Sequence, residues 1–353
     1  MCNINTDPKV KVITVTYNSI NNLDAYFSTL LDQDFSSYDI FIIDNDSQDK
    51  TRLQLEFYRN HPKVTLYFAE SNLGFARANN IGMQRAFEQE GYDYCLLIND
   101  DVEVEKDLIT KLIQAYSSGG QVVGLVQPLV MLYDNREELN TDGNAIHYLG
   151  FGYCKNYKKK PQEAQKRLVP IISPSGACLM ISKEFYKDVG GFNEDFFMYS
   201  EDQDLAWRGL LMGYTHLLDT SARIYHKYAF QKGNYKFFHA EKNRLRMINQ
   251  NYERKTLLLL FPLLIVNELF MLVYALIDGW FRFKLLGYWD FFKSHQKRCQ
   301  TRELIQRRRK VRDRSLFGRF TSSLSFSPIP SRLIKFVINP LYNAYYRLVR
   351  KLL

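Results

Sequence analysis

The run Leu96-Leu97-Ile98-Asn99-Asp100-Asp101-Val102 sets three apolar residues one asparagine ahead of two adjacent carboxylates. A short apolar run of this kind reads as a buried strand. It places the acids at the strand's carboxyl end, where open α/β sheets bind their ligands. Neighbouring carboxylates repel one another unless a cation lies between or beside them. Hard oxygen ligands suit Mg2+ or Mn2+ rather than zinc, and an ion held by one or two carboxylates completes its shell with water and phosphate oxygens. The chemistry indicated is a metal–diphosphate site. The plainer alternative is a solvated turn, since Asn and Asp both favour turns.

A second acidic centre lies in residues 196–208, FFMYSEDQDLAWR. Ser200 followed three residues later by Gln203 fits a capping box and predicts a helix from Glu201. Asp204 and Arg208, one turn apart, are expected to pair. Glu201 and Asp202 then occupy the first turn. Either they serve the helix dipole alone, or Asp202 faces a cleft as a general base with Glu201 beside it to tune it.

The elements that must position these acids follow an alternating pattern. Residues 9–16, 38–43, 64–68 and 92–98 read as strands, with helices over 21–33, 51–59 and 76–90 between them. That alternation predicts a parallel sheet with right-handed crossovers. Beyond Asp101 it loosens. A helix is expected over 108–116, a strand over 122–132, a polar loop over 134–167, and a return to the core over 171–181. Helices over 183–189 and 201–212 follow, then a strand over 216–225.

Charge is unevenly spread. Residues 297–353 carry 15 Lys and Arg against two acids, a net +13, which leaves the preceding 296 residues at −4 out of a total of +9. Such a tail meets anions, either lipid headgroups or nucleic acid. The five cysteines (Cys2, Cys95, Cys154, Cys178, Cys299) form no CxxC pair, so neither a zinc spacing nor a disulfide framework is present. Residues 1–8 are polar and lack the apolar core of a signal peptide, so the body is expected to face the cytosol.

Four stretches, in order, carry a resemblance: Val15-Thr16-Tyr17-Asn18-Ser19, Ile43-Asp44-Asn45-Asp46-Ser47, Asn72-Leu73-Gly74-Phe75-Ala76 and Asn99-Asp100-Asp101. Ser175-Gly176-Ala177 and Glu201-Asp202-Gln203-Asp204 continue it. Over residues 10–226 the chain resembles the family 2 inverting glycosyltransferases, in particular their rhamnosyltransferase-like bacterial members. The resemblance implies a GT-A fold, meaning a Rossmann-like mixed, mostly parallel sheet flanked by helices. Residues 1–235 are accordingly expected to form the catalytic domain, and residues 236–353, on the composition described below, a C-terminal helical, membrane-associated region with a basic tail. The resemblance also implies a nucleotide-diphosphate sugar donor and Mn2+ or Mg2+.

Carried over by position, Thr16 and Asp44 correspond to contacts with the donor base and ribose, and Asn72, Gly74 and Asp100 to the same donor pocket. Asp101 resembles the metal-binding acid of a DxD-like motif, with Asn99 standing where a strict motif has its first Asp. His226 sits where some members place a histidine near the metal or diphosphate; its alternative is an ordinary half-buried histidine. Asp202 resembles the catalytic base, with Glu201 beside it. The implied acceptor is a lipid-linked or cell-surface glycan, and the sugar indicated is rhamnose from its dTDP donor.

Residues 257–277 are apolar and long enough to span a bilayer, but Pro262, Asn267 and Glu268 interrupt them. A mid-membrane acid costs about 2.5–3.5 kcal/mol on insertion scales. The reading preferred here is a helix lying in the interface, or a hairpin with residues 280–292, whose aromatics Trp280, Phe281, Phe283, Tyr288 and Trp289 suit that boundary. Arg307, Arg308, Arg309, Lys310, Arg312 and Arg314 would meet anionic lipid, with Leu316, Phe317, Phe320, Phe336, Tyr345 and Tyr346 as interleaved anchors. The chain is thus expected on the cytoplasmic side of the cell membrane, peripheral or monotopic. Two alternatives are a buried helix pair and nucleic-acid binding by the basic tail, the latter without any accompanying motif.

Other enzyme classes fit poorly. A nucleotidyltransferase wants a Gly-rich phosphate loop after the first strand, where Tyr17-Asn18-Ser19-Ile20 has none, and no GxGxxG follows a strand as a dehydrogenase would need. The non-enzyme alternative is an inactive membrane-bound glycan- or nucleotide-sugar-binding protein, against which Asp101 and Asp202 argue together.

Overall fold

The computed structural model describes residues 8–118, 122–162, 166–228, 233–325 and 332–353; Cys2 and the rest of the N-terminal heptapeptide lie outside them. The chain divides into two compact units, one of Met1–Asn144, Cys154–Phe197 and Tyr214–Ala229, the other of Ala145–Tyr153, Met198–Gly213 and Phe230–Leu353.

The first unit is built on one sheet. β1 (Val10–Thr16), α1 (Leu23–Leu30), β2 (Tyr38–Asp44), α2 (Thr51–Glu56), β3 (Val64–Phe68), α3 (Gly74–Gln84) and β4 (Tyr94–Ile98) follow the expected alternation. β3, β2, β1 and β4 lie side by side and parallel. The apolar residues of β1, β2 and β4 are almost all buried, as the interior of a covered parallel sheet requires, whereas β3 at the edge is largely half-exposed and its Tyr67 is exposed. β5 (Val102–Val104), α4 (Leu108–Ser118) and β6 (Val123–Leu132) come next.

Three short strands, β7 (Leu139–Thr141), β8 (Asn144–Ile146) and β9 (Gly152–Cys154), lie where a loop was expected. Their buried residues include Asn140, Thr141 and Asn144, so the segment carries no alternation to read. β10 (Leu168–Ile171), β11 (Cys178–Ser182), α5 (Lys183–Val189), α6 (Glu201–Leu211) and β12 (Thr215–His226) complete the series.

The strand order is β10-β12-β6-β11-β4-β1-β2-β3. β11 enters antiparallel between β4 and β6, so the sheet is parallel through its first four strands and mixed beyond them, a correction to the mostly parallel expectation. The register sets two relationships at strand ends. Thr16 stands opposite Asp44, and His226 stands opposite Val102, the residue after Asp101.

The second unit contains α6 and the helices α7 (Asn234–Asn251), α8 (Arg254–Ile277), α9 (Phe281–Lys293), α10 (His295–Arg308), α11 (Asp313–Leu316) and α12 (Asn339–Leu352). Its core is aromatic: Trp207 packs on Tyr252 and Phe320, and Phe317 stacks on Tyr346. Leu316, Phe317, Phe320 and Tyr346 are therefore core residues, not the interfacial anchors expected, and Trp280 is likewise buried, stacked on Phe237. An apolar residue among basic ones looks the same in sequence whether it faces lipid or core.

α8 and α9 form the expected hairpin. Glu268, in the middle of apolar α8, turns inward: Lys284 Nζ lies 2.7 Å away, Tyr288 donates its hydroxyl at 2.7 Å, and Arg244 of α7 also pairs with it. Glu241 joins the same two cations. Buried charges are tolerated where they are paired in this way.

Candidate active site

The first acidic centre belongs wholly to the first unit. Val102 and Val104 are drawn into β5 beside β12, which leaves Asp100 and Asp101 at the bend between β4 and β5. The antiparallel register brings His226 Nε2 to 3.2 Å from Asp101 Oδ1. That carboxylate oxygen is buried and has no hydrogen-bond partner.

The histidine's other nitrogen, Nδ1, lies 2.9 Å from Asn140 Oδ1 in β7, while Asn140 Nδ2 points to Cys154 Sγ at 3.9 Å. A carbonyl oxygen can only accept, so Nδ1 carries the hydrogen, and in the neutral ring Nε2 turns its lone pair toward Asp101. Two lone-pair atoms this close form a donor pair for a cation, with Asn140 as the outer partner that fixes the tautomer. Asp100, next to it, accepts a hydrogen bond from the Ser19 hydroxyl. Burial, and then the Asp101 charge, push its carboxyl up to about 7.

Among the described residues no three His, Cys, Asp or Glu side chains converge to cage an ion. The residues present fit a Mn2+ or Mg2+ that takes its remaining ligands from phosphate and water.

The expected donor residues sit at the carboxyl ends of neighbouring strands. Thr16 donates to Asp44 Oδ1 at 3.3 Å across the β1–β2 register. Asn72 accepts from Gly74 N–H at 2.9 Å and from Asn45 Nδ2 at 3.0 Å, and Asn45 Oδ1 in turn accepts from Leu73 N–H at 2.7 Å. Asn45 thus holds the turn that opens α3. Gly74 has φ +77°, and a Cβ there would lie 2.5 Å from Phe197 Cδ2 and 2.6 Å from its carbonyl, so no side chain fits.

The second acidic centre belongs to the second unit. The capping-box expectation fails. Ser200 has φ 66° and its side chain makes no capping bond; instead Asp202 Oδ1 accepts Gln203 N–H at 2.7 Å. Tyr199 and Ser200 both take positive φ, as does Phe197 just before them. Backbone strain of this kind persists where surroundings enforce it, and here Asn243 of α7 donates to Met198 O at 2.9 Å and Tyr199 O at 2.8 Å.

The acids of this segment differ in kind. Asp204 is fully buried, paired with Arg208 as expected (2.7 Å) and bonded by Asn251 (3.0 Å) and Gln250. It is structural. Glu201 is buried with Oε2 unpartnered; burial, then the neighbouring Asp202 charge, push its carboxyl up to about 8. Asp202 is only half-buried.

Sequence reasoning thus named Thr16, Asp44, Asn72, Gly74, Asp100, Asp101 and His226, all within the first unit, and Glu201 and Asp202 in the second. It missed Ser19, Asn45 and Asn140 as their partners. Ser19 and Asn45 lay inside motifs already singled out; Asn140 left no local signal.

Comparison with known proteins bears on what this arrangement does. The family model "Glycosyl transferase family 2" matches residues 11–190, just over half of the chain. An N-acetylglucosaminyl-diphospho-decaprenol L-rhamnosyltransferase of Mycobacterium tuberculosis is 27% identical over 241 residues, 63% of this chain and 77% of that protein. A low-salt glycan biosynthesis hexosyltransferase of Haloferax volcanii is 22% identical over 205 residues, 56% of this chain and 61% of that one. Among solved structures, GalNAc-T7 with UDP, GalNAc and Mn2+ superposes with a TM-score of 0.58 at 16% identity over 70% of this chain. This chain spans about half (49%) of that longer one, and the likeness is one of fold.

Proposed function

Because the chain belongs to glycosyl transferase family 2, we propose that it is a metal-dependent inverting enzyme that moves a sugar from a nucleotide-diphosphate donor to a lipid-linked or cell-surface glycan. The observation that carries this reading is the buried, unpartnered Asp101 Oδ1 facing the His226 lone pair. It supports Asp101 and His226 as the protein ligands of Mn2+ or Mg2+. A bound ion of this kind would supply Lewis-acid neutralisation of the leaving diphosphate.

Other side chains do the rest. Ser19 orients Asp100; Asn45 and Asn72 shape the turn into α3, whose N–H groups favour an anion. Asp202 takes the proton of the acceptor hydroxyl as that oxygen attacks the anomeric carbon from the face opposite the leaving group. Glu201, held protonated around neutrality, leaves Asp202 as the charged member of the pair. The 27% identical M. tuberculosis relative supports rhamnose as the sugar and a polyprenyl-diphosphate glycan as the acceptor.

The test is product formation from dTDP-rhamnose and a polyprenyl-diphosphate N-acetylglucosamine. A rhamnosylated lipid of inverted anomeric configuration is expected. Retention of configuration would overturn the mechanism, and transfer of another sugar in its place would overturn the donor assignment.

A membrane setting is part of this proposal. With Glu268 turned inward, α8 exposes Leu258, Phe261, Ile265, Leu269, Val273 and Leu276, spaced three and four residues apart; Leu285, Trp289 and Phe292 of α9 and Leu341, Leu348 and Leu352 of α12 are exposed too. α8 is long and apolar enough to cross a membrane. Its packing against Lys284 and Tyr345 on one side favours a monotopic helix half-sunk in the cytoplasmic leaflet. The full chain is expected to float with anionic liposomes and the Leu269→Glu/Trp289→Glu variant to remain below with its donor hydrolysis intact. Equal flotation of the two would contradict the monotopic surface.

A further inference from the structure

Three elements of the second unit meet at the start of α8. Glu253 N–H donates to Asp313 Oδ2 at 2.7 Å, and Asp313 N–H donates back to Glu253 Oε2 at 3.0 Å, which docks α11 on the residue that opens α8. α12 packs on both. Its Tyr345 hydroxyl donates to Leu259 O at 2.8 Å and its Tyr342 hydroxyl to Asn267 Oδ1 at 2.6 Å, so α12 runs antiparallel to α8. The Tyr346 hydroxyl donates to Phe317 O at 2.9 Å, just past α11, and the Arg350 guanidinium lies over Gly318. The last turns of α12 are thereby carried toward the first turn of α8.

Each element brings a pair of cations to this corner: Arg254 and Lys255 from α8, Arg312 and Arg314 from α11 and its lead-in, Arg350 and Lys351 from α12. All six are exposed, and none forms an ion pair among the described residues. Glu253 and Asp313 do not offset them on the exposed side. Each accepts the other's N–H, and Asp313, buried, also pairs with Arg309 at 2.8 Å. The basic run at 307–310 is therefore not the source of this charge: Arg309 is turned inward on Asp313 and Asn251 O, and Arg307 pairs with Glu303.

Helix stability does not account for the six. Acids, not cations, are favoured in a first turn, and α8 has Arg254 and Lys255 there. Like charges gathered at one corner repel unless an anion lies among them. The neighbouring surface indicates which anion. The exposed apolar stripe of α8 begins at Leu258 and Phe261, within two turns of Arg254, and α12 exposes Leu348 and Leu352 beside Arg350 and Lys351. A bilayer presents a phosphate layer directly against an apolar one, and covers both surfaces. A polynucleotide would leave the stripe bare.

We propose that this corner is a headgroup site: the cations of α8, α11 and α12 bind the phosphates of anionic membrane phospholipids and hold the start of α8 at the phosphate layer, with its exposed stripe among the acyl chains. The inference rests on the membrane setting proposed above and gives that setting a lipid preference.

The test is partitioning of the full-length protein onto vesicles of mixed phosphatidylglycerol and phosphatidylcholine, and onto vesicles of phosphatidylcholine alone, with folding checked by thermal melting. The wild type should prefer the anionic vesicles, by a margin that shrinks as salt is added. A cation at an anionic surface contributes about fivefold, so Arg254→Gln/Lys255→Gln and Arg350→Gln/Lys351→Gln should each weaken anionic binding by about 25-fold. Both should bind phosphatidylcholine as the wild type does. Lys159→Gln/Lys160→Gln, the same loss of charge in the first unit, should leave both affinities unchanged.

Unchanged anionic binding in the α8 and α12 variants would overturn the headgroup site and leave the apolar surface of α8 standing. An equal loss in Lys159→Gln/Lys160→Gln would reduce the effect to net charge and overturn it as well. Tighter binding to an oligonucleotide than to anionic vesicles, lost in the same variants, would assign the corner to nucleic acid instead. A wild type that binds neither vesicle removes the membrane setting along with the site.

Discussion

His226 Nε2 and Asp101 Oδ1 stand 3.2 Å apart, and the carboxylate oxygen is buried without a hydrogen-bond partner. The β5–β12 register makes the pair, because His226 lies opposite Val102. Asn140, from a strand of three residues, then sets which imidazole nitrogen faces the acid.

That outer contact gives a first prediction. Asn140→Leu keeps the volume and removes the acceptor that fixes the tautomer. Loss of an outer partner to a ligating histidine costs about 10–100-fold in metal affinity. Mn2+ titration followed by electron paramagnetic resonance, with nucleoside diphosphate present, should show a drop of that size. Undiminished affinity would remove Asn140 from the site.

The acids of the second centre should separate by assay. Asp202→Asn is expected to lower transfer by about 10²–10⁴-fold, the usual contribution of a general base, with donor binding and melting temperature near wild type. Asp204→Ala should do the reverse in kind. It removes the buried carboxylate that Arg208, Gln250 and Asn251 share, and breaking a buried pair costs about 3–5 kcal/mol, read as a lower denaturant midpoint. Near-normal transfer in Asp202→Asn would reassign the base.

Much of the fold is legible in the residues alone, for identifiable reasons. β1, β2 and β4 are short, almost fully buried apolar runs between turns, and the edge strand β3 is marked by its β-branched and aromatic residues. Asp101 follows from its place at such a strand's end. Asn140 sits in a buried polar triplet with no periodicity. Ser200 carries the right residue for a cap, but Asn243, more than forty residues on, holds the preceding turn in a left-handed conformation that a local motif cannot foresee. Glu268 read as an interruption because its partners, Arg244 and Lys284, come from other helices.

Glu201 provides a pH signature. Its carboxyl is raised from the usual carboxylate range to about 8, so between about pH 4.5 and 8 the folded protein retains a proton that the unfolded chain has released. The unfolded state then binds fewer protons, and stability falls as pH rises through that window and levels off above it. Glu201→Gln has no proton to lose. The variant should gain on the wild type steadily from pH 5 to 8 in chemical denaturation, by an amount on the order of a few kcal/mol. Parallel stability profiles for the two proteins would contradict the raised carboxyl.

The most direct test of metal-dependent sugar transfer is nucleoside-diphosphate release from a panel of UDP-, dTDP- and GDP-sugars by the purified protein with Mn2+ or Mg2+. The account predicts slow hydrolysis of one donor, abolished by EDTA and by Asp101→Ala. Release that persists undiminished with EDTA and in that variant would contradict it.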